Sequence, residues 1–186
     1  MQAPPDGTFL QTLVIAAMKG RLWPILFDTL QRMQQDEHKL NAVTTIETLR
    51  GVSEVKDSTL LLETLRRLAA LHALTGAVIA HYLVWLLQGD HLTTIRTLLI
   101  DGSGYYKLTA QNYMVVLTRA SDRHGSPGMA LVLERLQQGG HMMEVMDALA
   151  SECVRPKFKD SARRMYAQLQ RHASLIESAH QGEVSF

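Results

Sequence analysis

The chain has 186 residues, 46% of them hydrophobic and 20% charged, with a formal net charge of +1. These are ordinary globular values. They exclude wholesale disorder, and they exclude the strong overall basic field of many nucleic-acid binders, so any nucleic-acid contact has to come from a local patch.

The single cysteine, Cys153, rules out an intrachain disulfide framework and fits a reducing compartment. It follows an apolar run and reads as a small core hydrophobe rather than a nucleophile. No uncharged apolar stretch approaches the ~18 residues of a membrane span. The best candidate, Leu71 to Leu87, is interrupted by His72, His81 and Tyr82 and reads as a buried helix. Met1 to Asp6 carries Pro4 and Pro5 and no Arg-rich lead, so no signal or transit peptide is visible, although a processed chain would look the same.

Apolar residues recur at three- and four-residue spacing nearly everywhere, and period-two alternation is almost absent, which predicts about ten helices and no β-sheet. The first runs from Thr8 to Lys19, with Leu10, Leu13, Val14 and Ala17 on one face. The second, Trp23 to Gln35, has Pro24 in its first turn, where the missing N–H costs nothing. Asn41 caps Ala42 to Gly51. Asp57 or Ser58 caps Thr59 to His72. Thr75 and Gly76 open a nearly all-apolar helix ending at Gln88, which should lie centrally. Gly89 and Asp90 turn into His91 to Ile100. After the loop Asp101-Gly102-Ser103-Gly104, a helix runs from Leu108 or Thr109 to Ser121. Asp122 to Gly128 is a second loop. Met129 to Gln138 and His141 to Glu152 are separated by Gly139-Gly140. Pro156 ends that region, and Lys159 to Ile176 is the last helix.

Helix openings near Thr8, Ala42, Gly76 and Ala110 lie roughly 34 residues apart, the period of two-helix repeats. A hairpin of short amphipathic helices cannot bury its face alone, and stacking against neighbours solves that. The expectation is a single domain over 1–186, a short α-solenoid of stacked antiparallel helical hairpins, with 1–7 and 178–186 frayed. An irregular helical bundle is the alternative.

The turns carry a resemblance. Gly125-Ser126-Pro127-Gly128-Met129-Ala130-Leu131-Val132-Leu133-Glu134-Arg135-Leu136 resembles the second helix of pentatricopeptide repeats, with Gly at the turn, Ala about five positions on, two apolar positions and a closing Leu. Gly20 through Met33 is similar, and so is Gly89 through Leu99, with Ile95 where Ala is usual. Gly140 through Ala150, followed by Val154-Arg155-Pro156, resembles the end of such a repeat. Gly suits the tight turn, a small residue lets helices approach, and Pro stops one helix and orients the next. The first helices lack the family's Tyr-Asn start, and Gly125 and Gly140 are too close to be turns of one kind, so two registers compete. Armadillo-like repeats remain an alternative. The resemblance implies single-stranded RNA binding, mostly in mitochondria and plastids, or a structural place in an organellar ribonucleoprotein. The cytoplasm is the alternative compartment.

The candidate nucleic-acid site is the basic C-terminal segment: Arg155, Lys157, Lys159, Arg163, Arg164 and Arg171 against one acid, Asp160, with Phe158 and Tyr166 interleaved. On a helix Lys159, Arg163 and Tyr166 share a face that would hold phosphates and stack a base on Tyr166. A solvated capping helix would also be polar there. Trp23 and Trp85 read as packing residues. Met142, Met143 and Met146 suit either an adaptable groove or ordinary core.

The eight histidines lack metal-ligand spacing, with no HExxH or paired CxxC, so no metal is expected. Ser103 in Gly-Ser-Gly is not a nucleophile elbow, and Asp122-Arg123-His124 reads as a polar turn. No Walker or dinucleotide fingerprint appears. The expected function is therefore non-catalytic and cofactor-free: a scaffold or RNA-binding subunit, with protein subunits of a larger assembly as partners. The alternative is a protein–protein adaptor gripping a partner helix or peptide.

Overall fold

A computed structural model describes residues 6–123, 125–152, 160, 162–171 and 174. They form α1 (Gly7–Lys19), α2 (Trp23–Gln35), α3 (Ala42–Ser53), α4 (Ser58–Ala70), α5 (Gly76–Gln88), α6 (Leu92–Arg96), α7 (Ala110–Arg119), α8 (Pro127–Gln138), α9 (Met142–Glu152) and a last helix, α10, over 162–171, with no strand among the described residues. The chain is all-α.

The repeat is written in the caps. Asp6, Asn41, Thr75 and Thr109 stand at intervals of 34 or 35 residues, and each side chain accepts a hydrogen bond from a backbone N–H two or three residues on. Such caps satisfy donors that the first helical turn leaves unpaired. The second helices of the hairpins open at Trp23, Ser58, Leu92 and Pro127 with the same period. The first helices α1, α3, α5, α7 and α9 pack in sequence as one row. The second helices form the other row, α2 on α4 and α6 on α8, with the segment after α6 completing the contact to α4.

The turns repeat too. Arg21, Lys56 and Asp90 adopt left-handed backbone inside hairpins, and Glu37, His72 and Gly140 do so between hairpins. For a non-glycine residue this costs about 1–2 kcal/mol. The helix-end hydrogen bonds Leu22 N–H to Ala17 O, His38 N–H to Met33 O, Ala73 N–H to Leu68 O and His91 N–H to Leu86 O offset it by satisfying orphan carbonyls. Gly140 is left-handed, as expected of a turn glycine, but three others do something else. Gly20, Gly89 and Gly139 stay right-handed, and the residue after each is left-handed. A Cβ on Gly89 would run into the His91 ring, and one on Gly139 would stand 3.2 Å from His141, so these glycines make room for the returning side chain. A Cβ on Gly125 would meet open space.

The core runs the length of both rows. Helix α5 lies at its centre, packed on α3, α6 and α7, and buries Val78, Ile79, Tyr82, Leu83, Leu86 and Leu87 almost completely. Each such side chain is worth about 1.5–3 kcal/mol removed from water. The Tyr82 hydroxyl is shared with Ser53 and donates to Leu49 O at 3.3 Å, tying α5 to α3. Burial pushes its pKa up and keeps the phenol neutral. The buried hydroxyls of Thr48 and Ser53 return to carbonyls four residues back, at 2.8 and 2.7 Å.

Several helix ends differ by one or two residues from the sequence reading, and three of the differences have a local reason. Helix α3 continues through Gly51 to Ser53, because Gly51 is the point of closest approach to α1; a Cβ there would overlap the Met18 thioether. Helix α8 starts at Pro127, with Ser126 as its cap. The expected helix His91 to Ile100 divides: α6 ends at Arg96 and Thr97–Asp101 forms a π turn, closed by Gly102 N–H to Thr97 O at 2.8 Å. A short 3₁₀ turn, Ser103–Tyr105, and extended Tyr106 then lead to the Thr109 cap.

Two outcomes follow from this packing. A Cβ on Gly76 would stand 2.8 Å from the Lys107 carbonyl and collide with Asn112, the capping-box residue of α7. Gly76→Ala should therefore cost about 1–3 kcal/mol in urea unfolding, whereas Gly104→Ala, with nothing within 4 Å of the new Cβ, should be neutral. Glu63 pairs with Arg66 and Arg67, both at 2.7 Å, and the Arg66 hydrogen bond leads in holding its carboxyl at a pKa of about 2. A depressed carboxyl stabilises the fold above its unfolded pKa of about 4.3 and loses that contribution as pH falls toward 2. Glu63→Gln should flatten this acid limb of the stability curve, by about 0.5–1 kcal/mol for so exposed a pair.

Candidate functional site

Of the sequence-derived basic cluster, Arg163, Arg164, Tyr166 and Arg171 fall on α10, while Arg155, Lys157 and Lys159 lie outside the described residues. Helix α10 is amphipathic. Ala162, Met165 and Leu169 are 3%, 1% and 1% exposed, so the spacing three and four residues apart sets one face into the core. Arg163, Arg164 and Arg171 are exposed. Arg164 and Arg171, seven residues apart, share a face. The Arg164 Nε donates to the Asp160 carbonyl at 3.2 Å, which stiffens its stem. None of the three arginines forms an ion pair among the described residues. Tyr166 is half-buried and packs against the core, so only part of its ring is open to a ligand.

A second basic and aromatic strip emerges on the row of first helices. Arg50, Trp85 and Arg119 stand 35 and 34 residues apart; Trp85 and Arg119 are each the tenth residue of their helices, α5 and α7, and Arg50 is the ninth of α3. The Arg50 guanidinium lies 5.5 Å from the centre of the Trp85 ring. Trp85 stacks on His91 at 4.7 Å and 19°, and lies near-parallel to Tyr82 at 6.1 Å. Arg119 reaches His81 at 2.9 Å, one turn before Trp85 on α5. Glu47 neutralises Arg50 in part, at 2.9 Å. Trp85 thus packs, as its apolar neighbours suggested, and one cation, Arg50, lies against its ring. The signal for Arg119 was the repeat period, which sets it 34 residues after Trp85 at the same position of its helix; Arg50 stands one residue out of that register.

The chain matches no protein-family model, no curated protein and no solved structure. What stands is an all-helical protein of about ten packed helices.

The other residues singled out take structural places. Arg123 bridges Asp90 at 3.1 Å and the Gln88 carbonyl at 2.8 Å, locking the turn after α7 onto the turn after α5. Ser103 Oγ donates to the Ile100 carbonyl at 2.9 Å. Met142 and Met146 pack on the core and Met143 is 67% exposed. Among the described residues no group of three His, Cys, Asp or Glu side chains is placed to hold a metal ion, and no helix is long and apolar enough to cross a membrane. His124 and Cys153 lie outside the described residues.

Proposed function

We propose that this chain is a non-catalytic helical-repeat subunit of a ribonucleoprotein assembly, and that it holds RNA backbone through α10. The observation that carries the reading is the division of α10 into a face buried in the core and a face bearing exposed Arg163, Arg164 and Arg171. A helix anchored this way presents its guanidinium groups on a rigid mount, and phosphate contacts supply most sequence-independent affinity for nucleic acid. The Arg50, Trp85 and Arg119 strip supports the same reading, since arginine and aromatic faces in alternation suit single-stranded RNA. The likeness of the turns to pentatricopeptide repeats adds an organellar compartment and protein subunits as neighbours to the proposal.

Filter binding of single-stranded RNA across a salt series tests it. Affinity should fall as salt rises, and Arg163→Glu with Arg164→Glu should lower it at least about tenfold and reduce the salt slope by about 1.4, for two lost contacts. Both positions are exposed, so the unfolding midpoint should hardly move. RNA affinity that is undetectable, or indifferent to salt and to this double change, removes the RNA claim.

One observation favours an adaptor instead. Val43 and Met143, 71% and 67% exposed, occupy the second positions of α3 and α9, and Phe9, 59% exposed, lies in the first turn of α1. They stand at the same end of their helices in one row, where a partner's apolar side chains would cover them. A partner retained after ribonuclease treatment and released by Val43→Asp would select this reading.

A further inference from the structure

At the junction of the third and fourth hairpins the chain keeps its period but changes its construction. The second hairpin joins the third through the five residues between α4 and α5; the third joins the fourth through the π turn, the 3₁₀ turn and an extended Tyr106. π turns inside helices are rare and concentrate at functional sites. Here the longer connection contributes Tyr105, Tyr106 and Lys107 to the lining of a cavity of about 540 Å³, which Tyr113 from α7, Arg135 from α8 and His141 before α9 complete. That volume lies within the ~300–1,000 Å³ range of small-molecule sites.

The lining has a definite chemistry. Tyr106 donates its hydroxyl to the Leu98 carbonyl at 2.8 Å, so its ring is a fixed wall. Tyr113 is 2% exposed and lies 6.1 Å from the His141 ring, tilted by 41°. Arg135 is half-buried and its guanidinium has no hydrogen bond or ion pair among the described residues, yet its charge acts on both Tyr106 and Tyr113. A partly desolvated guanidinium against aromatic walls is stabilised by an anion. Lys107 adds an exposed cation at the mouth. The nearest acid, Glu144, stands 3.5 Å from His141 Nδ1. The corresponding gap between the first and second hairpins is of similar size, about 550 Å³, but holds Glu37, His38, Lys39 and His72, with no tyrosine and no arginine. The aromatic and cationic lining therefore belongs to the altered junction and not to the repeat in general.

We propose that this cavity binds one nucleotide, with its base against the tyrosine rings and its phosphate on Arg135 and Lys107. Base stacking on tyrosine is sequence-tolerant, and the planar guanidinium matches two phosphate oxygens. The ligand is either a free nucleoside 5′-monophosphate or the 5′-phosphorylated end of an RNA. The site is separate from α10 and stands or falls without it.

The test is an NMR titration of the full chain with adenosine 5′-monophosphate, adenosine and inorganic phosphate in turn. The monophosphate should bind with Kd of about 1 mM or tighter, and adenosine at least about tenfold more weakly. Arg135→Gln should weaken the monophosphate at least about tenfold and leave adenosine unchanged, with Lys107→Gln, at an exposed position, giving a smaller loss of the same kind. The unfolding midpoint of each variant shows that the fold is kept. Displacement of the monophosphate by a 5′-phosphorylated octanucleotide, but not by its 5′-hydroxyl form, identifies an RNA end; no displacement identifies a free nucleotide. The proposal is overturned if the monophosphate leaves the resonances of the cavity unmoved, if it binds no better than adenosine, or if folded Arg135→Gln and Lys107→Gln bind it like the parent. Loss of monophosphate binding in Arg163→Glu with Arg164→Glu would also overturn it, because α10 lines no part of this cavity.

Discussion

Everything in this molecule depends on a short helix being unable to hide its apolar side by itself. A thirteen-residue helix such as α4 is marginal in water, and pairing it with one neighbour still leaves half its apolar face wet. The chain answers by setting each first helix between two others, α3 between α1 and α5, α5 between α3 and α7, α7 between α5 and α9. Helix α5 takes this furthest: it is so apolar all round that only a central place suits it. Its Tyr82 hydroxyl, the one polar group it sinks fully, is matched by Ser53 and Leu49 on α3.

Stacking of this kind makes every turn a repeated structural problem. The second helix must leave its partner, cross over, and present the next cap 34 or 35 residues after the last. Left-handed backbone at Arg21, Lys56 and Asp90, and again at Glu37 and His72, is the recurrent solution. The junction from Thr97 to Thr109 is built otherwise: it keeps the period while spending fewer residues on helix and more on connection. Variation at a junction leaves the core rows undisturbed, so it is where a stacked fold can acquire a site without losing stability. The cations follow the same logic. They stand where rows end or edges open: Arg163, Arg164 and Arg171 on the terminal helix, Arg135 and Lys107 at the altered junction.

Much of this was legible in the residues. Asn41, Asp57 and Thr75 announce their helices as caps, and Gly76 to Gln88 was delimited by its own apolar composition; the cap at Asp6 was not read. The π turn was not legible, because Leu98, Leu99 and Ile100 continue the apolar pattern of an ordinary helix; its end at Gly102 comes so close to Leu65, 37 residues away, that a Cβ there would stand 2.8 Å from the leucine. Left-handed Arg21 was not legible, because the glycine beside it, Gly20, is the residue that a turn pattern nominates; its strain is offset by the helix-end bond from Leu22 N–H to Ala17 O. The C-terminal cluster was visible as a run of like charge. The aromatic cavity was hidden because Tyr106, Tyr113, Arg135 and His141 come from four segments whose convergence depends on stacking.

If burial between neighbours is what holds the rows together, protection must be greatest where a helix has the most neighbours. Native-state hydrogen exchange measures this helix by helix. The slowest amides should belong to α5, exchanging only by global unfolding, with protection declining toward α1 on one side and α10 on the other. Amides of α5 that exchange as fast as those of α1 and α10 would contradict the account.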